Sequence, residues 1–253
     1  MSHPARQRIL ITGASSGLGA EMARQFAAKG RDLALCARRV DRLEALRDEL
    51  VQTHPSITVA VRALDVNDND AVFPAFHQLA DELGGLDRVI VNAGLGKGAR
   101  LGTGKFHANR ETAVTNFVAA LAQCEAALEI FRAADAGHLV VVSSVSALRG
   151  LPGALATYSA SKAAVATLAD GLRLELRKSP IAVTTLYPGY IRSEMSSRAE
   201  QATPLMSSTE HGVRAMVAAI EREVSTSAVP PWPWKPLGLL VRYAPASLVR
   251  RFA

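Results

Sequence analysis

The architecture of this chain follows from the sequence Arg8-Ile-Leu-Ile-Thr-Gly-Ala-Ser-Ser-Gly-Leu-Gly19. The first five residues form a short apolar run, which predicts a buried strand. The glycines after it predict a tight turn, and residues 21–29 then carry a helical pattern that ends at Gly30. A strand, a turn and a helix in this order form the first unit of a parallel α/β sheet.

The same alternation continues along the chain to about residue 190. Strands are predicted at 33–37, 57–64, 86–92, 138–143 and 181–187, and helices at 40–50, 70–83, 107–134 and 157–177. Because strands joined by helices lie parallel and are covered on both sides, we expect a doubly wound, Rossmann-like α/β sheet with helices on both faces. We interpret residues 1–253 as a single domain, in which 195–253 supply a substrate lid and a C-terminal assembly segment.

Composition and charge narrow the class of protein. Of the 253 residues, 49% are hydrophobic and 21% are charged, as is typical of a soluble globular protein. The net charge is +6, but residues 225–253 hold four basic residues and no acid, so the body is nearly neutral and no nucleic-acid partner is expected. We see no uninterrupted apolar stretch of membrane-spanning length and no apolar signal region, which predicts a cytoplasmic protein. Cys36 and Cys124 are expected to be buried and reduced, and no metal site is expected.

Polar and glycine residues follow the predicted strands, where a doubly wound sheet forms its binding sites. The free N–H groups of the glycine turn suit a pyrophosphate, because they lie at the start of a helix. The candidates for cofactor binding are Gly13, Ser15, Ser16, Gly17, Leu18 and Gly19 after the first strand, Asp65 and Val66 after the third, and Asn92, Ala93 and Gly94 after the fourth. Asp65 suits an adenine amino group, but it could instead cap the next helix, as could Asn67 or Asp68.

Arg38 and Arg39 follow the second strand, where an NAD site would place an acidic residue for the ribose 2′-hydroxyl. No acid is present there, and two guanidinium groups suit a 2′-phosphate instead. Cations at a helix N-terminus oppose the helix dipole, so they are unusual without an anion. The alternative is a pair of solvated arginines. The pattern favours NADP(H) as the cofactor.

Tyr158 and Lys162 lie one turn apart on one face of a predicted helix. An adjacent ammonium favours phenolate and lowers the pKa of tyrosine, which makes Tyr158 a candidate general acid and base. Ser144, fourteen residues earlier, can hold a substrate carbonyl oxygen, with Ser143 and Ser146 as alternatives.

Asn116 lies inside a predicted helix, although Asn is a poor helix former. Two interpretations are open. The residue bends the helix, or its amide turns inward and anchors a water chain to Lys162.

Together these residues resemble the short-chain dehydrogenase/reductase family over roughly residues 6–195. The shared order is Thr-Gly-x3-Gly-x-Gly, Asn-Ala-Gly, Asn, Ser, Tyr-x3-Lys and Pro-Gly. The resemblance implies a catalytic tetrad of Asn116, Ser144, Tyr158 and Lys162. Tyr158 and Lys162 are also expected to contact the cofactor, Lys162 through the nicotinamide ribose. It implies contacts to the nicotinamide amide from Pro188, Gly189, Ile191 and Ser193. The sequence departs from the family pattern in a Ser-to-Tyr separation one residue longer than usual and in Val91, where a second Asn is usual.

The resemblance implies an NADP(H)-dependent oxidoreductase that transfers hydride between the nicotinamide and a carbonyl or secondary alcohol. It also implies a homodimer or homotetramer, for which the Ala-rich stretches 113–127 and 159–172 are suitable helix faces. Two alternatives are kept: a catalytically silent NADP-binding regulator or scaffold, and a membrane-surface reductase of a lipid-like substrate. The substrate is not specified by any motif.

The C-terminal part carries three further expectations. Ser207-Ser-Thr-Glu210 is predicted to open a helix as a capping box. The proline-rich stretch 230–236 is predicted not to form a helix interior. Residues 237–253 alternate apolar clusters with arginines and are expected to pack on the protein, with contact to an anionic membrane as the alternative.

Overall fold

The computed structural model describes residues 6–194 and 205–245, whose strands form one parallel sheet. The strands are β1 (Arg8–Thr12), β2 (Asp32–Ala37), β3 (Val59–Ala63), β4 (Arg88–Val91), β5 (Gly137–Val142), β6 (Ile181–Pro188) and β7 (Thr226–Val229). Their order across the sheet is β3-β2-β1-β4-β5-β6-β7. The winding direction reverses between β1 and β4, and this reversal is the place where such sheets open a crevice at their carboxyl ends.

Helices cover both faces of this sheet. They are α1 (Gly17–Ala27), α2 (Val40–Thr53), α3 (Asn69–Leu83), α4 (Phe106–Ala113), α5 (Ala119–Ala133), α6 (Leu155–Glu175), α7 (Thr209–Glu221) and α8 (Pro231–Tyr243). One hydrophobic core joins the sheet to α3, α5 and α6, and a second joins it to α1, α2 and α7. The doubly wound parallel sheet predicted from the sequence is confirmed.

The helix predicted over residues 107–134 is interrupted. A π-helical turn, Val114–Val118, separates α4 from α5. The whole run, Phe106–Ala133, has the length and hydropathy to cross a membrane, contrary to our expectation that no stretch would, but half of its apolar window is buried in the protein. In this structure it packs against α3 and α6 as a core element.

The C-terminal part differs from the sequence analysis in three places. Residues 226–229 form a seventh strand that the sequence did not indicate. The cap of α7 is Ser208, whose hydroxyl accepts from the His211 N–H, and not Ser207 of the predicted capping box. The proline-rich stretch is the start of α8, because a kink at Trp232 places the prolines in its first turns, where missing N–H groups are tolerated. The lid predicted from residue 195 falls mostly on 195–204, outside the described residues.

Buried charged and polar side chains lie near the amino ends of the central strands β4 and β5, opposite the end where the crevice opens. Arg88 is almost fully buried and pairs with Glu221 at 2.5 Å, while its Nε donates to His138 Nδ1 at 2.9 Å. His138 Nε2 lies 2.8 Å from the Thr184 hydroxyl, which itself donates to the Val224 carbonyl.

Candidate active site

A cleft of about 740 Å³ runs along the carboxyl ends of the strands. It is lined by nearly all of the predicted site residues: Gly13, Ser15, Ser16, Gly17, Leu18, Arg38, Arg39, Asp65, Val66, Asn92, Ala93, Gly94, Ser144, Tyr158, Lys162, Pro188, Gly189, Ile191 and Ser193. Gly19 and Asn116, the other two predicted site residues, do not line the cleft. Motifs spread over 180 residues are therefore brought to one side of the sheet.

The glycine turn has the backbone geometry that the sequence predicted. Gly13 and Gly17 have φ angles of +65° and +55°, which residues with a side chain rarely adopt. A Cβ on Gly19 would lie 2.4 Å from the carbonyl oxygen of Gly13, so only glycine allows α1 to start this close to the turn. The N-terminus of α1 consequently faces the cleft, as a pyrophosphate site requires.

A hydrogen-bonded connection fixes the end of β1 to the end of β4. The Thr12 hydroxyl accepts from the N–H groups of Asn92 and Ala93, each at 3.0 Å, and the Asn92 amide donates to the Thr12 carbonyl at 2.9 Å. The side chains of Thr12 and Asn92 thus set the width of the crevice at the reversal point of the sheet.

Arg38 and Arg39 differ in their surroundings. Arg38 is exposed and forms no hydrogen bond or ion pair within 6–194 and 205–245. Arg39 is half-buried, and its Nη2 donates to the Ser16 hydroxyl at 2.7 Å and to the Ser15 hydroxyl at 3.2 Å. It also contacts Glu194, with both Nη atoms 3.1 Å from one carboxylate oxygen.

Asp65 is free of the helix-capping role that was its alternative. The helix cap of α3 is Asp68, whose carboxylate accepts from the Ala71 N–H at 3.2 Å. Among residues 6–194 and 205–245, the Asp65 carboxylate accepts only the local N–H of Asn67, at 3.0 Å, and it stays exposed at the cleft.

The three candidate serines are distinguished by their contacts. Ser143 is buried and its hydroxyl donates to the Lys162 carbonyl at 2.7 Å, which commits it to holding α6 against β5. Ser144 caps the short 3₁₀ turn Val145–Leu148 by accepting the Ser146 N–H at 3.1 Å. The Ser144 hydroxyl also interacts with the Tyr158 phenol, which makes it the serine paired with the tyrosine.

Asn116 turns inward because it lies in the π-helical turn. Its Oδ1 accepts from the Leu95 N–H at 2.7 Å, and its Nδ2 donates to the Leu95 carbonyl at 2.9 Å. Nδ2 also lies 3.1 Å from the Ser161 hydroxyl. The amide therefore holds the chain just after the Asn92-Ala93-Gly94 motif, and π-helical turns often mark functional sites in this way.

Lys162 and Asn116 reach the same glycine. A Cβ on Gly94 would lie 3.3 Å from both the Lys162 Nζ and the Asn116 Oδ1. Lys162 Nζ donates to the Val142 carbonyl at 2.9 Å. The absence of a side chain at Gly94 keeps the approach to the lysine open, which fits a sugar placed between Gly94 and Lys162.

The pKa of Tyr158 corrects one expectation. We predicted that Lys162 would lower it, but burial raises the pKa of the phenol, and the hydrogen bond with Ser144 offsets only part of that rise. Lys162 is not among the groups that shift the pKa of the phenol, and burial lowers the pKa of Lys162 itself to about 8.

The segment after β6 is held by α8. The Gly189 N–H donates to the Val229 carbonyl at 3.0 Å, and a Cβ on Gly189 would lie 2.1 Å from the Trp234 ring. Tyr190 packs edge-on against the same ring, with centroids 5.3 Å apart. Ile191 forms a parallel bridge with Ser207. Only glycine at position 189 leaves room for the indole under the segment.

Tyr190 and Glu194 are among the cleft residues that the sequence reasoning missed. Tyr190 follows directly on the Pro-Gly motif, a signal that could have placed it in the cleft. Glu194 pairs with residues about 150 positions earlier, and no local pattern could have indicated that contact. Arg39 and Arg42 hold the pKa of this carboxyl down at about 2.

Comparison with known proteins gives consistent matches. The sequence model of the short chain dehydrogenase family matches residues 7–204. An uncharacterized oxidoreductase of Mycobacterium tuberculosis is 58% identical over 248 residues, which cover 98% of each chain.

Two solved structures are similar to this chain. One is a short-chain dehydrogenase from Sphingobium yanoikuyae in complex with NADPH, with 29% identity, a TM-score of 0.81 and coverage of 95% of this chain and 98% of the other. The other is a 3-oxoacyl-[acyl-carrier protein] reductase from Brucella melitensis in complex with NAD, with 26% identity, a TM-score of 0.79 and coverage of 90% and 96%. Both neighbours bind a nicotinamide cofactor, but not the same one. Because the family match spans most of the sheet and reaches every strand-end motif up to Ser193, the chain belongs to the short chain dehydrogenase family and is a hydride-transferring oxidoreductase.

Proposed function

We propose that this protein is an NADP(H)-dependent oxidoreductase that interconverts a carbonyl compound and a secondary alcohol. The observation that carries the proposal is the convergence of Tyr158, Ser144 and buried Lys162 at one part of the cleft, with the exposed guanidinium of Arg38 at its β2 end. A proton donor beside a cofactor cradle is the arrangement that carbonyl reduction needs.

Ser144 and Tyr158 perform the proton chemistry of this proposal. A bound nicotinamide supplies the hydride to the substrate carbon. The Ser144 hydroxyl holds the carbonyl oxygen, and Tyr158 donates a proton to it as negative charge develops. The raised pKa of Tyr158 keeps the phenol protonated at neutral pH, which supports reduction as the favoured direction there. Oxidation of the alcohol needs the phenolate and is therefore favoured at higher pH.

Lys162 and Asn116 support that step. Lys162 binds the ribose and stabilises the phenolate that Tyr158 becomes. Asn116 keeps the Leu95 backbone in place through its two hydrogen bonds and relays protons to solvent near Lys162. The residues at the other end of the cleft support NADP(H). The exposed guanidinium of Arg38 is available to bind a 2′-phosphate, and positions 38 and 39 hold arginines where an NAD site would have an acidic residue.

A homo-oligomer and a cytoplasmic location complete the proposal. The outer faces of the π-helical turn and α6 form a shallow apolar groove lined by Phe117, Val118, Ala160 and Ala164, which supports close helix packing between subunits. The two cysteines are free and buried, which suits a reducing compartment. Light scattering coupled to size-exclusion chromatography measures the oligomer directly.

A membrane-surface reductase is the second candidate. It is favoured by the large exposed side chains of α8, since Trp232, Leu239 and Tyr243 are 79%, 58% and 75% exposed, with Arg242 beside them. The buried Trp234 on the same helix favours packing on the protein instead.

A panel of carbonyl compounds, followed by loss of NADPH absorbance, tests the proposed function. Turnover with at least one compound, faster with NADPH than with NADH, is the expected result. If NADPH binds but neither carbonyl nor alcohol compounds are turned over, the silent regulator or scaffold is the better description. Pairing each assay with Tyr158→Phe removes background reduction from contaminating enzymes.

A further inference from the structure

The carboxylate of Glu194 is surrounded by hydrogen-bond donors that form an anion-binding site. One of its oxygens lies 3.1 Å from both Nη atoms of Arg39, and the other lies 2.5 Å from Arg42 Nη1. The Ser16 hydroxyl also interacts with it. Two guanidinium groups and a hydroxyl around one anion are the donor set that proteins use for phosphate groups.

This anion site belongs to the cofactor cleft. Arg39 immediately precedes α2, two residues after the end of β2, and its guanidinium also reaches Ser15 at the glycine turn. Arg39 and Glu194 both line the cleft. The site therefore lies where the sequence predicts the 2′-phosphate of NADP(H), and a carboxylate of the chain itself now occupies it.

The ion pairs of Glu194 with Arg39 and Arg42 are weak enough for a phosphate to displace the carboxylate. The side chains of Glu194, Arg39 and Arg42 are 54%, 41% and 46% exposed, and ion pairs as solvated as these contribute little. A phosphate monoester carries more negative charge than a carboxylate and offers three acceptor oxygens, so it wins the competition for the arginines. Glu194 follows Ser193, whose Cβ would lie 3.4 Å from a Cβ on Gly17, so the segment that Glu194 anchors crosses over the glycine turn.

We propose that Glu194 is an internal competitor for the 2′-phosphate: it occupies Arg39 and Arg42 until the phosphate displaces it. This inference rests on the proposed NADP(H) dependence. The carboxylate lowers affinity for any nucleotide with a 2′-phosphate and leaves nucleotides without one unaffected. Glu194 is thus a determinant of cofactor specificity that opposes Arg39 and Arg42.

Two nucleotide fragments isolate this competition from hydride transfer. Adenosine 2′,5′-bisphosphate carries the 2′-phosphate and adenosine 5′-monophosphate lacks it, and the binding of each to the full chain is measured by calorimetry. In Glu194→Gln we expect the bisphosphate to bind about threefold to tenfold more tightly and the monophosphate to change by less than about twofold. Glu44→Gln is the control, because Glu44 is an exposed carboxylate on the same helix as Arg42 and its removal changes net charge equally.

A double-mutant cycle assigns the gain to the arginine. In an Arg39→Gln background, Glu194→Gln should tighten bisphosphate binding less than it does in wild type, because only Arg42 is then freed. Unchanged or weaker bisphosphate binding in Glu194→Gln would overturn the proposal, as would equal tightening of both fragments or the same gain in Glu44→Gln. A matching thermal unfolding midpoint for each variant shows that the comparison is made on folded protein.

The same calorimetry tests the proposed cofactor preference through a second quantity, the ratio of the two dissociation constants in wild type. The ratio of the two dissociation constants in wild type reports the preference for a 2′-phosphate, whereas the change of the bisphosphate constant on Glu194→Gln reports the competition. A wild type without preference that acquires one in Glu194→Gln contradicts NADP(H) dependence and supports the competitor. If wild type strongly prefers the bisphosphate and Glu194→Gln leaves that preference unchanged, the result supports NADP(H) dependence and contradicts competition by Glu194.

Discussion

Lys162 directs its Nζ to the carbonyl oxygen of Val142, 2.9 Å away, although the lysine is only 5% exposed. Burial lowers its pKa to about 8. One carbonyl does not replace the water that an ammonium loses, so the fold holds this charge against its own stability. A residue kept under such conditions is explained by chemistry and not by packing.

Lys162→Met should therefore stabilise the protein and inactivate it. Relief of ammonium burial is worth up to about 3 kcal/mol, and the lost hydrogen bond to Val142 removes about 1 kcal/mol of that gain. At pH 7, in protein without added cofactor, we expect the free energy of unfolding to rise by about 1–2 kcal/mol and turnover to vanish. Chemical denaturation and the carbonyl assay measure the two effects, with exposed Lys29→Met as the control.

The pH dependence of this gain has a defined sign. The folded pKa of Lys162 lies below its ordinary value of 10.5, so the unfolded chain binds more protons between about pH 8 and 10.5. Wild type therefore gains stability as pH rises through that window, and the advantage of Lys162→Met should shrink. An advantage that stays constant from pH 7 to 10 would show that burial of the charge is not its cause.

Tyr158→Phe tests the proton donor. Phenylalanine keeps the ring and its packing but has no hydroxyl, so turnover should fall by about two to four orders of magnitude, as expected for loss of a general acid. NADPH binding, followed by fluorescence, should stay within about twofold of wild type because the ring does not bind the cofactor phosphates. Full activity in this variant would exclude Tyr158 as the proton donor.

Arg38→Asp tests the choice of cofactor. Arg38 is exposed at the cleft without an ionic partner in the described part of the chain, so the variant disturbs no internal contact. An aspartate repels a 2′-phosphate and accepts from a 2′-hydroxyl, so the ratio of kcat/KM for NADPH to that for NADH should fall below one. Equal kinetics with both cofactors in wild type would mean that Arg38 is only a solvated arginine.

The sequence predicts this fold because each motif directly follows a predicted strand, and all of these strands run in the same direction. Once the strands are parallel, any residue that follows a strand must lie at the same side of the sheet, which places Arg38, Asp65 and Asn92 in one cleft without further information. Contacts between distant segments have no such rule. The pairing of Glu194 with Arg39 and the packing of Trp234 under Gly189 depend on how the chain returns after β6, which no local pattern specifies.

The π-helical turn at Asn116 and the raised pKa of Tyr158 were out of reach for a related reason. A poor helix former such as Asn indicates some irregularity, but the kind of irregularity is decided by packing of α4 and the π-helical turn against α6. The pKa of Tyr158 depends on the balance between burial and a neighbouring charge. The four-residue spacing shows that Lys162 is a neighbour of Tyr158, but it does not show how deeply Tyr158 is buried.

Glu221→Gln tests the ion pairs that Glu221 forms with Arg88 and Arg31. Glu221 binds Arg88 at 2.5 Å and Arg31 at 2.9 Å, and these bonds keep its pKa below the ordinary value although burial acts in the opposite direction. At pH 7 the variant should be about 1–3 kcal/mol less stable, because it leaves buried Arg88 without its nearest carboxylate. Activity per folded molecule should not change.

The effect of Glu221→Gln should disappear in acid. The stabilisation by Glu221 is fully present above its unfolded pKa of 4.5 and is lost as pH falls through the lower folded pKa. Thermal midpoints of wild type and variant should therefore converge below about pH 4. Glu210→Gln, which removes an exposed pair with Arg214, should change the midpoint little at any pH.

The two tryptophans of α8 separate its two proposed roles. Trp234 is 5% exposed and packs against Gly189 and Tyr190, and its indole N–H has no hydrogen-bond partner among the residues described. Trp232, two positions earlier, is exposed to solvent. We expect Trp234→Ala to cost about 3–5 kcal/mol and to weaken NADPH binding, because the Pro188–Gly189 segment loses its support. Trp232→Ala should leave the thermal midpoint unchanged.

Liposome binding decides between packing on the protein and docking on a membrane. If α8 serves the fold, deletion of residues 237–253 should lower the thermal midpoint or change the oligomer, and anionic liposomes should not retain the intact protein. A membrane role predicts salt-sensitive pelleting with anionic liposomes, since arginine side chains beside an apolar face bind acidic head groups. Pelleting that Trp232→Ala abolishes, with the thermal midpoint and oligomer intact, would establish the exposed face of α8 as a membrane contact and contradict our choice.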